Sequence, residues 1–199
     1  MHIASVATTR TNKDKPMKYL VIVIVILFLA VSARAQETFS GQISIYPAWQ
    51  HGKIRGSSTI SEKYTHLLRQ SHTSGTNASQ MNAIVGYSQS LTNSQTVTYN
   101  LAGGVENCFG DTVTFYRVNF MSIKASVDNV STLDIGNAST NVFFSWLGSS
   151  DQTILIPPGG FFMLTAPDAT GFPSQNGNLK IANSGTNSAS YELYVGGAQ

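Results

Sequence analysis

The sequence has 199 residues, of which 42% are hydrophobic and only 11% carry a charge. This length supports one sizeable hydrophobic core, and a charged fraction well below the about 25% of an average soluble protein predicts a polar, weakly charged surface. The Lys and Arg residues after position 35 are scattered, so we expect no nucleic-acid partner, because phosphate binding needs a basic patch.

The first 35 residues have the organisation of an export signal. An apolar run at 19–31 follows basic residues and precedes Ala33 and Ala35, whose small side chains match a signal-peptidase site. The run is shorter than the about 20 residues that a helix needs to span a bilayer, which favours a cleaved signal peptide. The alternative is an uncleaved anchor, in which 19–31 is the only contact with a membrane. Met17 is an alternative start of the chain, and both interpretations place the domain outside the cytoplasm, as a secreted, periplasmic or cell-surface protein.

Residues 36–199 are predicted to form a single all-β domain, an antiparallel β-sandwich. Short β-prone runs alternate with turn clusters rich in Asn, Gly, Pro and Asp, at the spacing of about 8–12 residues typical of sandwiches. The predicted strands are 43–46, 95–101, 112–127, 132–135, 142–146, 153–156, 161–165, 179–182 and 191–195.

Two segments break this pattern. The alternation within 112–127 shifts once near Tyr116, which predicts a bulge or a bend. The segment 57–80 combines a short stretch able to form a helical turn with a polar tract, and we predict a poorly ordered long loop or a short helix there. No repeat of fixed period occurs, which argues against a propeller or a solenoid.

The sequence contains no local motif of a hydrolase nucleophile, a phosphate-binding loop or a zinc protease. We therefore expect no catalytic centre of local spacing and no cofactor. His51, His66 and His72 have no ligand spacing and are predicted to be exposed. A carboxylate pair formed by Asp111 with Glu106 or Asp134 stays open, because glycosidase partners can be remote in sequence.

Cys108 is the only cysteine, so no intramolecular disulfide is possible. A small buried side chain beside Phe109 is the favoured interpretation, with a cross-link between two chains or a reactive thiol as alternatives.

Two groups of residues are candidates for binding. Asp128, Asn129, Asp134 and Asn137 could offer oxygen ligands to calcium, although Asx residues also dominate ordinary turns, which is the favoured interpretation. Tyr46 and Trp49 could stack against a sugar, whereas Trp146 ends an apolar run and is expected in the core.

Several phrases of the second half, taken together, resemble a group of small uncharacterised proteins found among bacteriophage structural genes. The phrases are Tyr99-Asn-Leu-Ala-Gly-Gly, Phe109-Gly-Asp-Thr-Val-Thr-Phe115, Ile156-Pro-Pro-Gly-Gly-Phe161, Pro167-Asp-Ala-Thr-Gly171, Leu179-Lys-Ile-Ala-Asn-Ser-Gly185 and Tyr191-Glu-Leu-Tyr-Val-Gly-Gly197. The resemblance implies a virion component with a jelly-roll-like sandwich that acts by assembly or surface binding, and it carries over no functional residues. The export signal departs from that group, since a particle assembled in the cytoplasm does not need one, which leaves a host-encoded secreted relative or a membrane-associated viral protein as alternatives.

Three functions follow in order of preference. The first is a non-enzymatic structural protein that associates with itself or with other virion or cell-surface proteins. The second is a secreted adhesion or carbohydrate-binding module, and the third is an exported enzyme whose site is assembled from remote loops.

The export signal predicts the N-terminus of the mature protein. When the protein is expressed with its natural leader, intact-mass spectrometry should find a chain that begins at Gln36, because cleavage follows Ala35. A chain that keeps residues 19–31 and sediments with membranes would instead establish the anchor.

Overall fold

The structure, a computed structural model, describes residues 40–55, 58–175 and 177–199, and no side chain is described between 51 and 60. The signal segment 1–35, with Ala33, Ala35 and the alternative start at Met17, lies outside the described residues. Every regular element in the described part is a β-strand, which confirms the all-β prediction. Among these residues there is no helix with the length and apolar character needed to cross a membrane.

Most strands belong to two antiparallel sheets. The larger has five strands in the order β13-β10-β16-β6, with β14 also paired to β10, and the smaller has four in the order β12-β11-β15-β7. The strands of the five-stranded sheet are β6 (Ala83–Leu91), β10 (Arg117–Ala125), β13 (Phe161–Thr165), β14 (Phe172–Pro173) and β16 (Ala189–Ala198). Those of the four-stranded sheet are β7 (Thr96–Asn100), β11 (Leu133–Gly136), β12 (Thr153–Ile156) and β15 (Asn178–Asn183).

The remaining strands precede or connect these sheets. They are β1 (Ser40–Ile45), β2 (Ala48–Arg55), β3 (Ser58–Thr65), β4 (Leu68–Ser74), β5 (Gln80–Met81), β8 (Val105–Glu106) and β9 (Thr112–Val113).

The antiparallel pairs of the two sheets are nested along the chain. The outermost pair is β6 with β16, followed inward by β7 with β15, β10 with β13 and β11 with β12. This is the pairing of one long hairpin whose tip lies between β11 and β12. Further pairs, β10 with β16 and β11 with β15, close each sheet, so that the folded hairpin becomes two sheets of four main strands.

One hydrophobic core is shared by the two sheets. The inward side chains of the five-stranded sheet include Met121, Ile123 and Leu193, and those of the four-stranded sheet include Leu133 and Ile181; all are fully buried. The two sheets therefore pack face to face, the arrangement of a β-sandwich.

Tyrosines add a polar link across this core. The hydroxyls of Tyr99 on β7 and Tyr191 on β16 lie 2.8 Å apart and share a hydrogen bond. Burial raises the pKa of Tyr191 far above its ordinary value, so both phenols stay protonated. The ring of Tyr87 on β6 packs against that of Tyr99, with the two ring centroids 4.6 Å apart.

Two predictions about individual segments are wrong. The segment 57–80 was expected to be a poorly ordered loop or a short helix, but its residues form β3, β4 and β5. Its polar composition reflects strands whose described side chains are mostly exposed, not an absence of strands. The segment 142–146, predicted to be a strand, makes only one bridge, from Val142 to Asn178, and then turns. Its apolar side chains instead close an end of the core, where the ring of Trp146 packs on Phe143 and Phe162.

The bulge predicted near Tyr116 lies slightly further along the chain. β9 ends at Val113, β10 begins at Arg117, and the register of β10 with β16 shifts between Val118 and Phe120. Asn119 is therefore an extra residue on β10, which changes the direction of the side chains around it.

Two substitutions in the turn between β12 and β13 should differ in their effect on the free energy of unfolding. Gly159 has a φ of +71°, and a Cβ there would lie 3.2 Å from a Val127 methyl group. Gly159→Val should therefore cost about 1–2 kcal/mol of unfolding free energy for the left-handed backbone alone, and Pro158→Ala only about 0.5 kcal/mol. Thermal melts of both variants test this expectation, and equal losses would show that it is wrong.

Candidate functional site

The described residues 40–55 and 58–74 pair as one long antiparallel ribbon, here called the arm. β1 pairs with β4 from Ser40↔Thr73 to Ile45↔Leu68, and β2 pairs with β3 from Ala48↔Thr65 onward in the same register. The ladder is interrupted only around Pro47, which has no N–H group, and there the carbonyl of Pro47 accepts a hydrogen bond from the His66 N–H. We call β1 and β4 the arm root, and β2 and β3 the arm tip.

The arm root packs on the outer face of the five-stranded sheet. Ile43, Ile45 and Leu68 share one face of the root and line a cavity of about 200 Å³ together with Met163 and Thr165 of β13. β13 is the edge strand of that sheet. The apolar face of the root therefore lies opposite β13, across this cavity, at the edge of the sandwich.

The other end of the root lies nearer the middle of the same sheet. β4 pairs with β5, and the Met81 side chain of β5 covers Gly196 of β16, where a Cβ would lie 2.9 Å from the Met81 sulfur. The root thus runs from β16 across the sheet to β13. The arm tip continues beyond that edge, and its two strands of eight residues extend about 26 Å at about 3.3 Å per residue.

The base of the arm is fixed by a buried arginine. The Arg117 guanidinium, only 5% exposed, donates to the carbonyl oxygens of Thr76, Asn77 and Ala169. Its Nε donates to the Asn119 side chain, whose amide in turn donates to the Ala166 carbonyl at 2.9 Å. The guanidinium group therefore holds two loops against the sheet, which identifies Arg117 as a structural residue.

Asp168 shapes the second of these loops. Its carboxylate accepts hydrogen bonds from the Thr170 hydroxyl and from the N–H groups of Thr170 and Gly171. These donors, together with the nearby positive charge of Arg117, lower the pKa of Asp168. Asp168 and Gly171 were singled out only as part of the resemblance to bacteriophage structural proteins. The Arg117 cluster was not predicted, since no local pattern links residue 117 to residues 76 and 169.

The two predicted stacking residues both lie on the arm and are exposed. Trp49 on β2 is 58% exposed, and Tyr46, at the interruption of the ladder, is 63% exposed. Because the register is continuous across the interruption, their separation of three residues places them on opposite faces of the arm. Trp49 instead stacks on Tyr64, its cross-strand partner on β3, with ring centroids 6.2 Å apart. Tyr64 was not predicted as a partner of Trp49, because its segment was not expected to be a strand.

The four calcium candidates are not brought together. Asp128 and Asn129 precede β11, whereas Asn137 follows it, so they lie at opposite ends of that strand. The Asn129 side chain is occupied by two hydrogen bonds with the Ser190 backbone, and Asn137 adopts the left-handed conformation that is common in turns. In the described part of the chain, no group of three or more His, Cys, Asp or Glu side chains could hold a metal ion.

Cys108 is not buried, so the favoured interpretation of it as a small buried side chain is wrong. Both Cys108 and Phe109 are exposed, Phe109 at 76%, in the turn between β8 and β9. The Asn107 side chain shapes this turn by accepting hydrogen bonds from the N–H groups of Phe109 and Asp111.

Of the two carboxylate pairs considered as a catalytic site, Asp111 and Glu106 share one hairpin, whereas Asp111 and Asp134 lie on different sheets. Glu106 and Asp111 belong to the β8–β9 hairpin and are exposed, whereas Asp134 lies on β11 with one carboxylate oxygen buried and without a hydrogen-bond partner. None of the described hydrogen bonds joins Asp134 to Glu106 or to Asp111.

Of the histidines whose side chains are described, His66 is exposed as expected, but His72 is buried. His72 lies on the arm root opposite Gly41, is 1% exposed, and has no hydrogen-bond partner for either ring nitrogen. Burial lowers the pKa of His72 because the charged imidazolium would lose its hydration.

Comparison of the chain with protein-family models, with curated proteins and with solved structures gave no match. The candidate site therefore has to be interpreted from its own geometry, and the resemblance to bacteriophage structural proteins stays a prediction.

The burial of His72 predicts that the protein loses stability in mild acid. Below about pH 6.5 the unfolded chain binds a proton at His72 that the folded chain does not bind, so the free energy of unfolding decreases as the pH falls. Melting temperatures measured between pH 7.5 and 5.5 should show this decrease, and His72→Phe should reduce it. His66→Phe, on an exposed histidine of the same arm, is the control and should keep the full pH dependence; an unchanged dependence in His72→Phe would contradict the assignment.

Proposed function

We propose that this protein is a non-enzymatic structural component that assembles with copies of itself, in a virion or at a surface outside the cytoplasm. Two observations support this proposal: the nested strand pairing of the sandwich and the composition of its edge strands.

The nested strand pairing supports a jelly roll as the finer description of the fold. The pairs β6–β16, β7–β15, β10–β13 and β11–β12 alternate between the two sheets, as they do when one long hairpin is rolled into a sandwich. Jelly rolls of eight strands are the fold of many viral capsid proteins and of lectins. A capsid-like or decoration role agrees with the bacteriophage resemblance, which on its own stays a prediction.

The observation that carries the proposal is the lack of charge on every edge strand of the two sheets. β6, β7, β12 and β13 contain no Asp, Glu, Lys, Arg or Pro, and the two-residue β14, which lies beside β10 on the β13 side, is also uncharged but contains Pro173. Monomeric β-proteins protect such edges with charges, prolines or bulges, because an exposed edge is a template for pairing with another chain. Edges left unprotected in this way favour ordered association between copies.

The edges also carry apolar side chains toward solvent. Phe161 at the start of β13 is 66% exposed, Leu155 on β12 is 61% exposed, and Ile84 on β6 is 41% exposed. Exposed apolar groups beside open backbone edges are the combination expected at a contact between subunits.

A lectin-like role is the second candidate, because Trp49 stacks on Tyr64 in an exposed position. The Trp49–Tyr64 pair offers only a small surface on which a sugar could stack, and Tyr46 lies on the other face of the arm. We therefore favour assembly over glycan binding. Localisation follows the predicted export signal, which places the assembly at the cell surface, in the periplasm or in the medium unless the virion role holds.

A lysine on the longest edge strand should weaken the association. The purified mature protein should show a mass above that of one chain in size-exclusion chromatography with light scattering, increasing with protein concentration. Ser88→Lys, at an exposed position of β6, should shift this mass toward one chain, because a charged side chain opposes edge-to-edge pairing.

Ser150→Lys makes the same chemical change in an exposed loop and should leave the mass unchanged. A wild-type protein that remains a single chain at every concentration would overturn the proposed function.

A further inference from the structure

The arm tip is a ribbon of only two strands. In the described structure β2 pairs with β3 alone, and every described side chain of the tip, at Ala48–Gln50 and Ser61–Thr65, is exposed. Isolated two-stranded ribbons are only marginally stable in water, since they bury little apolar surface. The tip therefore has the properties of an element that is completed by another surface.

The tip and its junction with the root carry large apolar side chains on both faces. One face presents the stacked pair of Trp49 and Tyr64, and near the other lie Tyr46 and Leu67, which are 63% and 50% exposed. Aromatic side chains of this kind provide most of the binding energy at protein interfaces. A surface that covers them would gain affinity from burial of the rings.

The charges of the arm and the sandwich have opposite signs. Residues 40–70 contain Lys53, Arg55, Lys63 and Arg69 against Glu62, a net charge of +3. Residues 71–199 contain seven carboxylates and three cations, a net charge of −4, and one of those cations, Arg117, is buried against backbone carbonyls. A basic arm thus extends from an acidic body, so the surface complementary to the arm is present on every other copy of the chain.

The root already lies against a sandwich with one apolar face. Ile43, Ile45 and Leu68 face Met163 and Thr165 of its own edge strand across a shared cavity. By the alternation of the continuous ladder, the root face that makes this contact continues into the tip as the face with Trp49 and Tyr64. The tip therefore carries the apolar face of the root beyond the edge of its own sandwich.

We infer that the arm tip docks on the sandwich of a second copy of this chain, with Trp49 and Tyr64 as the apolar anchors and the net positive charge of the arm attracted to the acidic body. This inference rests on the self-association proposed above and names the element that provides it. Arm exchange of this kind links copies through extended elements while each sandwich stays intact.

A cross-linking experiment tests the contact directly. The mature protein carries a photoreactive benzophenone amino acid in place of Trp49, and ¹⁵N-labelled and unlabelled chains are mixed before illumination. Mass spectrometry should find peptides that join position 49 of one isotopic chain to residues 71–199 of the other. Cross-links confined to a single isotopic chain, or between two arm tips only, would overturn the inference.

Substitutions test the energetic role of the anchors. The double variant Trp49→Ala, Tyr64→Ala should raise the dissociation constant of the assembly at least about 10-fold, as expected for aromatic anchors at an interface. Lys63→Glu lowers the net charge of residues 40–70 from +3 to +1 and should weaken association as well, and added salt should weaken the wild-type protein more than Lys63→Glu.

Phe109→Ala removes an exposed aromatic of the sandwich and is the matched control, expected to leave the dissociation constant unchanged. Circular dichroism and the melting temperature establish that each variant keeps the folded sandwich.

The outcomes separate the two proposals. If the wild-type protein assembles and the double variant assembles equally well, the arm inference fails and the proposed self-association stands. If Phe109→Ala weakens assembly as much as the double variant does, the arm is not the specific contact. Binding to a glycan array that is lost in Trp49→Ala, with the oligomeric state unchanged, would assign the aromatic pair to a carbohydrate instead.

Discussion

The constraint on which the rest of the structure depends is the pairing of the last strand, β16, with both β6 and β10. β6 and β16 form the outermost pair of the nested hairpin, and β10 closes the five-stranded sheet from the other side. This central position requires close approach, since a Cβ on Gly197 would lie 2.1 Å from the Arg117 carbonyl oxygen, and one on Gly196 would meet the Met81 sulfur. The two glycines thus allow both the bulged β10 and the arm base to pack on β16. The partners of β16 are remote in sequence, so the sheet forms only when the ends of the domain meet.

The arm depends on this centre in turn. Met81 covers Gly196, and Arg117, at the start of β10, holds the loop that follows β4 through the Thr76 and Asn77 carbonyls. The base of the arm is therefore part of the sandwich, although most of the arm extends away from it. Removing Arg117 would take the shared donor away from the carbonyl oxygens of Thr76, Asn77 and Ala169, and both loops would lose their link to β10. A rigid base with an exposed tip suits an element that reaches a neighbour from a fixed direction.

The overall composition does not show that the arm and the sandwich differ in charge. A low charged fraction describes the whole chain, but the cations concentrate on the arm and the carboxylates on the sandwich, while the edge strands contain neither. The uncharged edges permit backbone pairing between copies, and the opposite charges of arm and body favour one relative orientation. The two proposed contacts are therefore compatible, since one uses the edges of the sheets and the other uses the arm tip.

The sequence by itself determined the all-β class, seven strands of the sandwich close to their observed positions and the exposure of Trp49, because alternation and turn residues act locally. Of the arm it predicted only β1, as 43–46, and it missed β2, β3, β4 and β6, whose polar and glycine-containing strands have too weak an alternation. It also wrongly made a strand of 142–146, an apolar segment that fills the end of the core. It also expected Cys108 to be buried and His72 to be exposed. Only the tertiary structure decided these points, together with the nested pairing, the Arg117 cluster and the stacking of Trp49 on Tyr64. Each of them depends on which remote segments become neighbours, and that is set by the shared core and by strand pairing over long sequence separations, not by local residue pattern.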